Sequence, residues 1–114
     1  MAKTQRLGKT KDIEAVMKSG KAFFTKDLTI KFLGNNLRVN RLAVIVSNAV
    51  HKNSTVRNRL RRIIKDQFQK ERRVFFQPLD LLIIVSKNTS KYPTTPERDL
   101  KVRESLSYAL KKIR

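Results

Sequence analysis

The chain has 114 residues and no cysteine, and 27 Lys and Arg against nine Asp and Glu leave a formal net charge of +18. The length fits one domain able to bury about two thirds of its unfolded surface, and the missing cysteine excludes disulfides, thiolate metal sites and cysteine nucleophiles and fits a reducing compartment. Self-repulsion of this size calls for a polyanion, with nucleic acid ranked well above an anionic membrane; with no opening signal-peptide run and no apolar run long enough to span a bilayer, a cytoplasmic protein is expected.

Residues 1–11 form a basic arm, with Lys3, Arg6, Lys9 and Lys11, expected to be flexible until bound. Thr10 then reads as the N-cap of a short helix. Asp12 and Glu14 sit in its first turn, Ile13, Val16 and Met17 make its apolar face, and Gly20 stops it. Residues 21–33 read as strand, broken near 25–27, with Leu28, Ile30 and Phe32 alternating against Thr29 and Lys31. Gly34-Asn35-Asn36 signals a turn, and residues 37–47 return as a second strand, so an antiparallel hairpin is predicted. The unbroken apolar run at residues 42–46 suits a central strand covered on both faces.

Residues 51–68, HKNSTVRNRLRRIIKDQF, carry the strongest pattern in the chain. Val56, Leu60, Ile63, Ile64 and Phe68 recur at helical spacing as an apolar stripe. Arg57, Arg61 and Lys65 recur every fourth residue on another face, flanked by Arg59 and Arg62, with Asn58 among them as a donor and acceptor. Ser54 or Thr55 is the expected cap, and the helix runs to about residue 72. A solvated helix face usually mixes signs to gain i,i+4 pairs. This one holds a single acid, Asp66, which favours nucleic-acid contact over a bland charged surface. Val74, Phe75 and Phe76 read as a packed exit before Pro78, and residues 79–85 as a second buried strand, interrupted only by Asp80. A polar loop follows. Thr94 with Glu97 resembles a capping box, Pro96 fits the first turn, and a last helix runs to about residue 112 with Leu106, Ala109, Leu110 and Ile113 inward. The whole is an α+β sandwich in the order α-β-β-β-α-β-α, with about four strands and the helices mainly on one face.

Catalytic chemistry has little to stand on. The acids are scattered, Asp80 reads as a strand-end residue, His51 is the sole histidine, and only Gly8, Gly20 and Gly34 could serve a phosphate loop. A ribosomal or other structural RNA-binding protein fits this composition. A DNA regulator would need a partner helix beside the basic one, and a stand-alone nuclease would need a cluster of acids or a metal.

The segment VRNRLRRIIKDQF resembles the signature of the bacterial ribonuclease P protein family: Arg57-Asn58-Arg59, a hydrophobic Leu60, the basic pair Arg61-Arg62, then Ile63 and Ile64. The similarity extends to Arg6-Leu7, Gly20, the strand entering the motif, the apolar strand at 79–85 and the last helix. It implies a left-handed β-α-β crossover, where chain geometry alone favours the right-handed one. It also implies a protein subunit of an endoribonuclease ribonucleoprotein that removes the 5′ leader of precursor tRNA. The RNA is then the catalyst and holds the Mg²⁺, and the polypeptide is a monomer bound one to one. By position, Lys52, Arg57, Asn58, Arg59, Arg61, Arg62 and Lys65 would contact RNA, and Ile13, Met17 and Lys31 would line a leader cleft. The family often has aromatics at those last three positions, so charge would matter more here than stacking; if the helix packs tightly, Ile13 and Met17 read better as core. Asn48 and Ala49 stand where a lysine pair is common, with Lys52 as a substitute, and Ala43 stands for a common glycine.

Overall fold

In a computed structural model, residues 4–71 and 78–113 are described. The elements are β1 (Gln5–Arg6), α1 (Thr10–Ser19), β2 (Lys21–Phe24), β3 (Leu28–Gly34), β4 (Arg41–Ile45), α2 (Ser54–Lys70), β5 (Leu79–Val85), a 3₁₀ turn (Lys87–Lys91) and α3 (Thr95–Lys112). The five strands form one sheet in the order β1-β4-β5-β3-β2. β5 lies at its centre because its run LDLLIIV is apolar toward both faces. Leu81, Ile83 and Val85 face one helix layer, and Leu82 and Ile84 the other.

The main core lies between the sheet and α2 and α3. Leu60, Ile64 and Phe68 of α2 meet Val102, Leu106, Ala109 and Leu110 of α3 over Ile30, Leu81 and Ile83. Among the described residues, the opposite face carries only α1, whose buried Val16 packs with Leu7 and Leu82. Two of the three helices therefore share a face, as expected.

The predicted hairpin of residues 28–33 with 37–47 is overturned. β5 stands between those strands, antiparallel to β3 and parallel to β4. The parallel neighbours β4 and β5 are joined through α2. The hairpin is β2 with β3, closed where the sequence shows a break. There Thr25 and Leu28 exchange bonds: the amide of Leu28 donates to Thr25 Oγ1 at 2.9 Å, and the amide of Thr25 to Leu28 O at 2.8 Å. Residues 37–40 are loop. Asn35 organises them, its Oδ1 accepting from the Leu37 amide and its Nδ2 donating to Asp80 Oδ1 at 2.8 Å. The Gly-Asn-Asn signal thus marks a wide anchored loop and not a tight turn.

Gln5–Arg6, assigned by sequence to the arm, adds a fifth strand parallel to β4, and Leu7 behind it is buried. The caps differ in detail. Lys9, not Thr10, precedes α1, without a side-chain cap. Asn53, not Ser54 or Thr55, caps α2 by accepting from the Thr55 amide at 2.8 Å. Thr94 caps α3 by accepting from the Glu97 amide, with Pro96 in the first turn. Gly20 ends α1 where a Cβ would run into the carbonyl oxygens of Val16 and Phe32. The predicted end of α2 at residue 72 and the exit at Val74, Phe75 and Phe76 lie outside the described residues.

Asp80 is a lock. Its carboxylate, nearly buried, takes Arg41 in a two-pronged pair at 2.6 and 2.8 Å. Arg41 reaches on to Asp12 of α1 at 3.1 Å, and so clamps that helix to the sheet. The Asp80 bond, more than any other contact, holds the guanidinium above its ordinary pKa.

Candidate nucleic-acid interface

At about 100° per residue, the buried side chains of α2 place Asn58, Arg62, Lys65 and Gln69 on the ridge facing solvent. Arg57 and Arg61 lie on the flank toward β4, and Arg59 and Asp66 on the flank toward α3. The single ridge expected from the four-residue spacing is thus a broad basic surface wrapping the outside of the helix.

These side chains are not equivalent. Arg57 donates to the carbonyls of His51 and Lys52 at 2.9 and 2.8 Å, and ties down the loop that enters the helix. His51 is part of the same loop, its Nδ1 accepting from the Asn53 amide. Arg61 donates to Asn58 Oδ1 at 2.6 Å and leans toward Val46 O. Arg59 is bound across the helix interface to Asp99 Oδ2 at 2.8 and 3.1 Å. Arg62 and Lys65 are exposed and make no hydrogen bond or ion pair among the described residues. Lys52 is likewise exposed.

Asp66, the lone acid of the basic run, is held by Lys70 at 3.2 Å and Arg103 at 3.1 Å. Hydrogen bonds from Lys70 and then Arg103 keep its carboxyl below the usual range. It is therefore spent on the α3 side and does not neutralise the ridge. The first turn of α2 holds no acid, whereas α1 has Asp12 and α3 has Glu97 there. The positive end of the α2 dipole thus adds to Lys52 and Arg57 without compensation.

A groove of about 400 Å³ runs beside this surface. Its floor is residues 42–45 of β4, with Arg61 and Lys65 on one wall and Arg6, Gly8 and Ile13 on the other. Ile13 packs on the Leu7–Val16–Leu82 cluster and also lines the groove. Met17 is 44% exposed and so is not core. Lys31 is half-buried on the same sheet face, in register with Ala22 and Leu82. Neither Met17 nor Lys31 lines this groove. Sequence reasoning missed Arg6 as a site residue; β1 brings it to the groove, and its only local signal is the Arg6-Leu7 alternation.

Among the described residues, no group of His, Asp or Glu is placed to hold a metal. The acids are committed elsewhere: Asp12 and Asp80 to Arg41, Asp99 to Arg59, and Asp27 to Tyr92 and Ser105. What the surface can do is neutralise phosphates and accept an extended chain.

Fold and surface together define a small basic α+β protein built to bind a polyanion. The family model for ribonuclease P matches residues 1–114. The ribonuclease P protein component of Clostridium kluyveri is 44% identical over 64 residues, spanning 56% of this chain and 56% of that one. That of Clostridioides difficile is 32% identical over 101 residues, covering 89% of this chain and 88% of that one. The solved ribonuclease P protein of Thermotoga maritima superposes with a TM-score of 0.80 at 28% identity, over 96% of this chain and 98% of that one. The chain belongs to the ribonuclease P protein family, the protein components of an endoribonuclease ribonucleoprotein whose partner RNA carries the catalysis. Among the described residues, no helix is long and apolar enough to cross a membrane.

Proposed function

We propose that the polypeptide grips the catalytic RNA of ribonuclease P with the outer surface of α2 and holds the 5′ leader of precursor tRNA against the sheet beside α1. Lys52, Arg57, Asn58, Arg59, Arg61, Arg62 and Lys65 contact the RNA subunit. Ile13, Met17 and Lys31 border the leader. One observation carries this reading: Arg61 and unpaired Lys65 wall a groove that leads from α2 to Ile13, while the only acid of the helix is paired with Lys70 and Arg103.

The chemistry belongs to the RNA. Mg²⁺ asks for several oxygen ligands at once, and the described carboxylates do not assemble such a set. The ions are therefore held by the RNA. The chain lowers the repulsion between leader and catalytic RNA by placing fixed cations between them. One polypeptide serves one RNA, in the cytoplasm where precursor tRNA is made. The test is cleavage of precursor tRNA by the cognate RNA at low Mg²⁺, with and without the purified chain. Faster cleavage on adding protein, and none by the protein alone, is the expected result. No gain from the protein rejects the proposal.

A further inference from the structure

The sheet face that carries α1 is only partly covered. Strand register divides it into rows. Ala22, Lys31, Leu82 and Ala43 stand side by side in one row, and buried Val16 of α1 packs on its Leu82. The next row is Phe24, Thr29, Ile84 and Ile45. That row is open: Phe24 is 71% exposed, Ile45 39%, and Thr29 and Ile84 are half-buried. It crosses the four strands β2, β3, β5 and β4, about 14 Å at the usual strand spacing. It ends at Ile45, which is also the floor of the groove walled by Arg61 and Lys65.

Side chains alternate along a strand, so Phe23 points to the α2–α3 side, where it meets Tyr108 at 6.2 Å, and Phe32 points there too. Phe68 is buried in the same layer, and Tyr92 bonds Asp27. Among the described residues, Phe24 is thus the only aromatic presented on the α1 side of the sheet. Exposed Lys26 follows in the adjoining turn, and Lys31 stands in the next row.

Resting on the leader reading above, we infer that Phe24 is the base-stacking platform of this protein, and that a single-stranded RNA segment runs from the Arg61–Lys65 groove across the open row to end stacked on it. A flat aromatic flanked by lysines suits unpaired bases, because every base offers a stacking face and a duplex does not expose one. The net charge of +18 opposes a second copy of the chain on this face and favours a polyanion. Phe24 takes the stacking role that Ile13, Met17 and Lys31 cannot supply, at the opposite edge of the sheet from β1. Leader nucleotides far along the groove then contribute through one base and not through several.

The test uses the reconstituted ribonucleoprotein with its cognate RNA, and binding of precursor tRNA with a leader against mature tRNA without one. Phe24→Ala weakens the leader-bearing substrate by about five- to 150-fold, the range for loss of one stacked base, and leaves the leaderless one unchanged. Phe24→Trp restores affinity. A 2-aminopurine placed singly along the leader is quenched at one position in the native complex, and that quenching is lost in Phe24→Ala. If Phe24→Ala binds as the native protein does while Lys31→Glu, in the neighbouring row, still impairs leader-bearing substrate selectively, the stacking assignment is overturned and the leader reading survives. If the native complex does not distinguish the two substrates, both fall. An equal loss on both substrates, or a change in the sedimentation of the protein on its own, assigns Phe24 to a protein contact and overturns the inference.

Discussion

Replacing Arg62 and Lys65 together by alanine separates free cations from committed ones. Both sit on the solvent ridge of α2 and have no intramolecular partner among the described residues, so each is available to displace one counterion from RNA. Each phosphate contact contributes about 0.7 to 0.9 to the slope of log K against log salt, the lower figure for single strands. Losing both lowers the slope by about 1.4 to 1.8. Between 50 and 200 mM salt, a fourfold change, the double variant then loses about seven- to twelvefold less affinity than the native chain. Arg59→Ala is the contrast. Its guanidinium is bound to Asp99, whose Oδ1 is buried without a partner, so part of its charge is already used within the protein. Its removal changes the slope by less than one contact and lowers stability by leaving Asp99 unpaired. The assay is fluorescence anisotropy with the cognate RNA subunit over that salt range, beside a urea melt of each variant. An unchanged slope in the double variant, or Arg59→Ala and Arg62→Ala changing it equally, would refute the division into free and committed arginines.

Arg41→Ala leaves the nearly buried Asp80 carboxylate without its two-pronged partner and frees Asp12 of α1. Breaking such a pair costs about 3 kcal/mol or more, read as a lower urea midpoint. Replacing both partners, Arg41→Met with Asp80→Leu, recovers most of it. Gly20→Ala forces a Cβ against the carbonyls of Val16 and Phe32 and lowers stability by about 1–3 kcal/mol in the same assay. Tyr92 donates to Asp27 at 2.7 Å, and burial, then that bond, pushes its phenol up to about 12. A raised folded pKa keeps its stabilisation below the unfolded value near 10 and loses it as pH rises toward 12. Urea melts from pH 9 to 11.5 therefore show stability falling, and Tyr92→Phe removes the Tyr92 share of that fall; parallel curves for the two proteins would contradict it.

Local pattern was enough to write much of the fold. The two faces of α2, the cap at Thr94 and the doubly buried β5 follow from spacing that a helix or strand reads over a few residues. Pairing did not follow. Residues 28–33 and 37–47 look like a hairpin because they adjoin in sequence, but β5 satisfies both strands from 39 residues beyond β4 and 45 to 57 beyond β3. Folding also hides the character of the arginines, across 40 residues for Arg59 and within a six-residue loop for Arg57. In sequence, Arg57, Arg59, Arg61 and Arg62 are alike; only the arrival of Asp99 on α3, and of the loop carbonyls at 51 and 52, makes some of them structural and leaves Arg62 free. Phe24 is the sharpest case. Its neighbour Phe23 is chemically identical, and which of the two is buried rests on the register with β3, a matter of one residue. Composition and periodicity therefore determined that this chain is basic, α+β and made for a polyanion. Which cations are free and which aromatic faces solvent was decided by the folded structure, because charge pairing and strand register depend on loop geometry and on distant groups that local pattern does not encode.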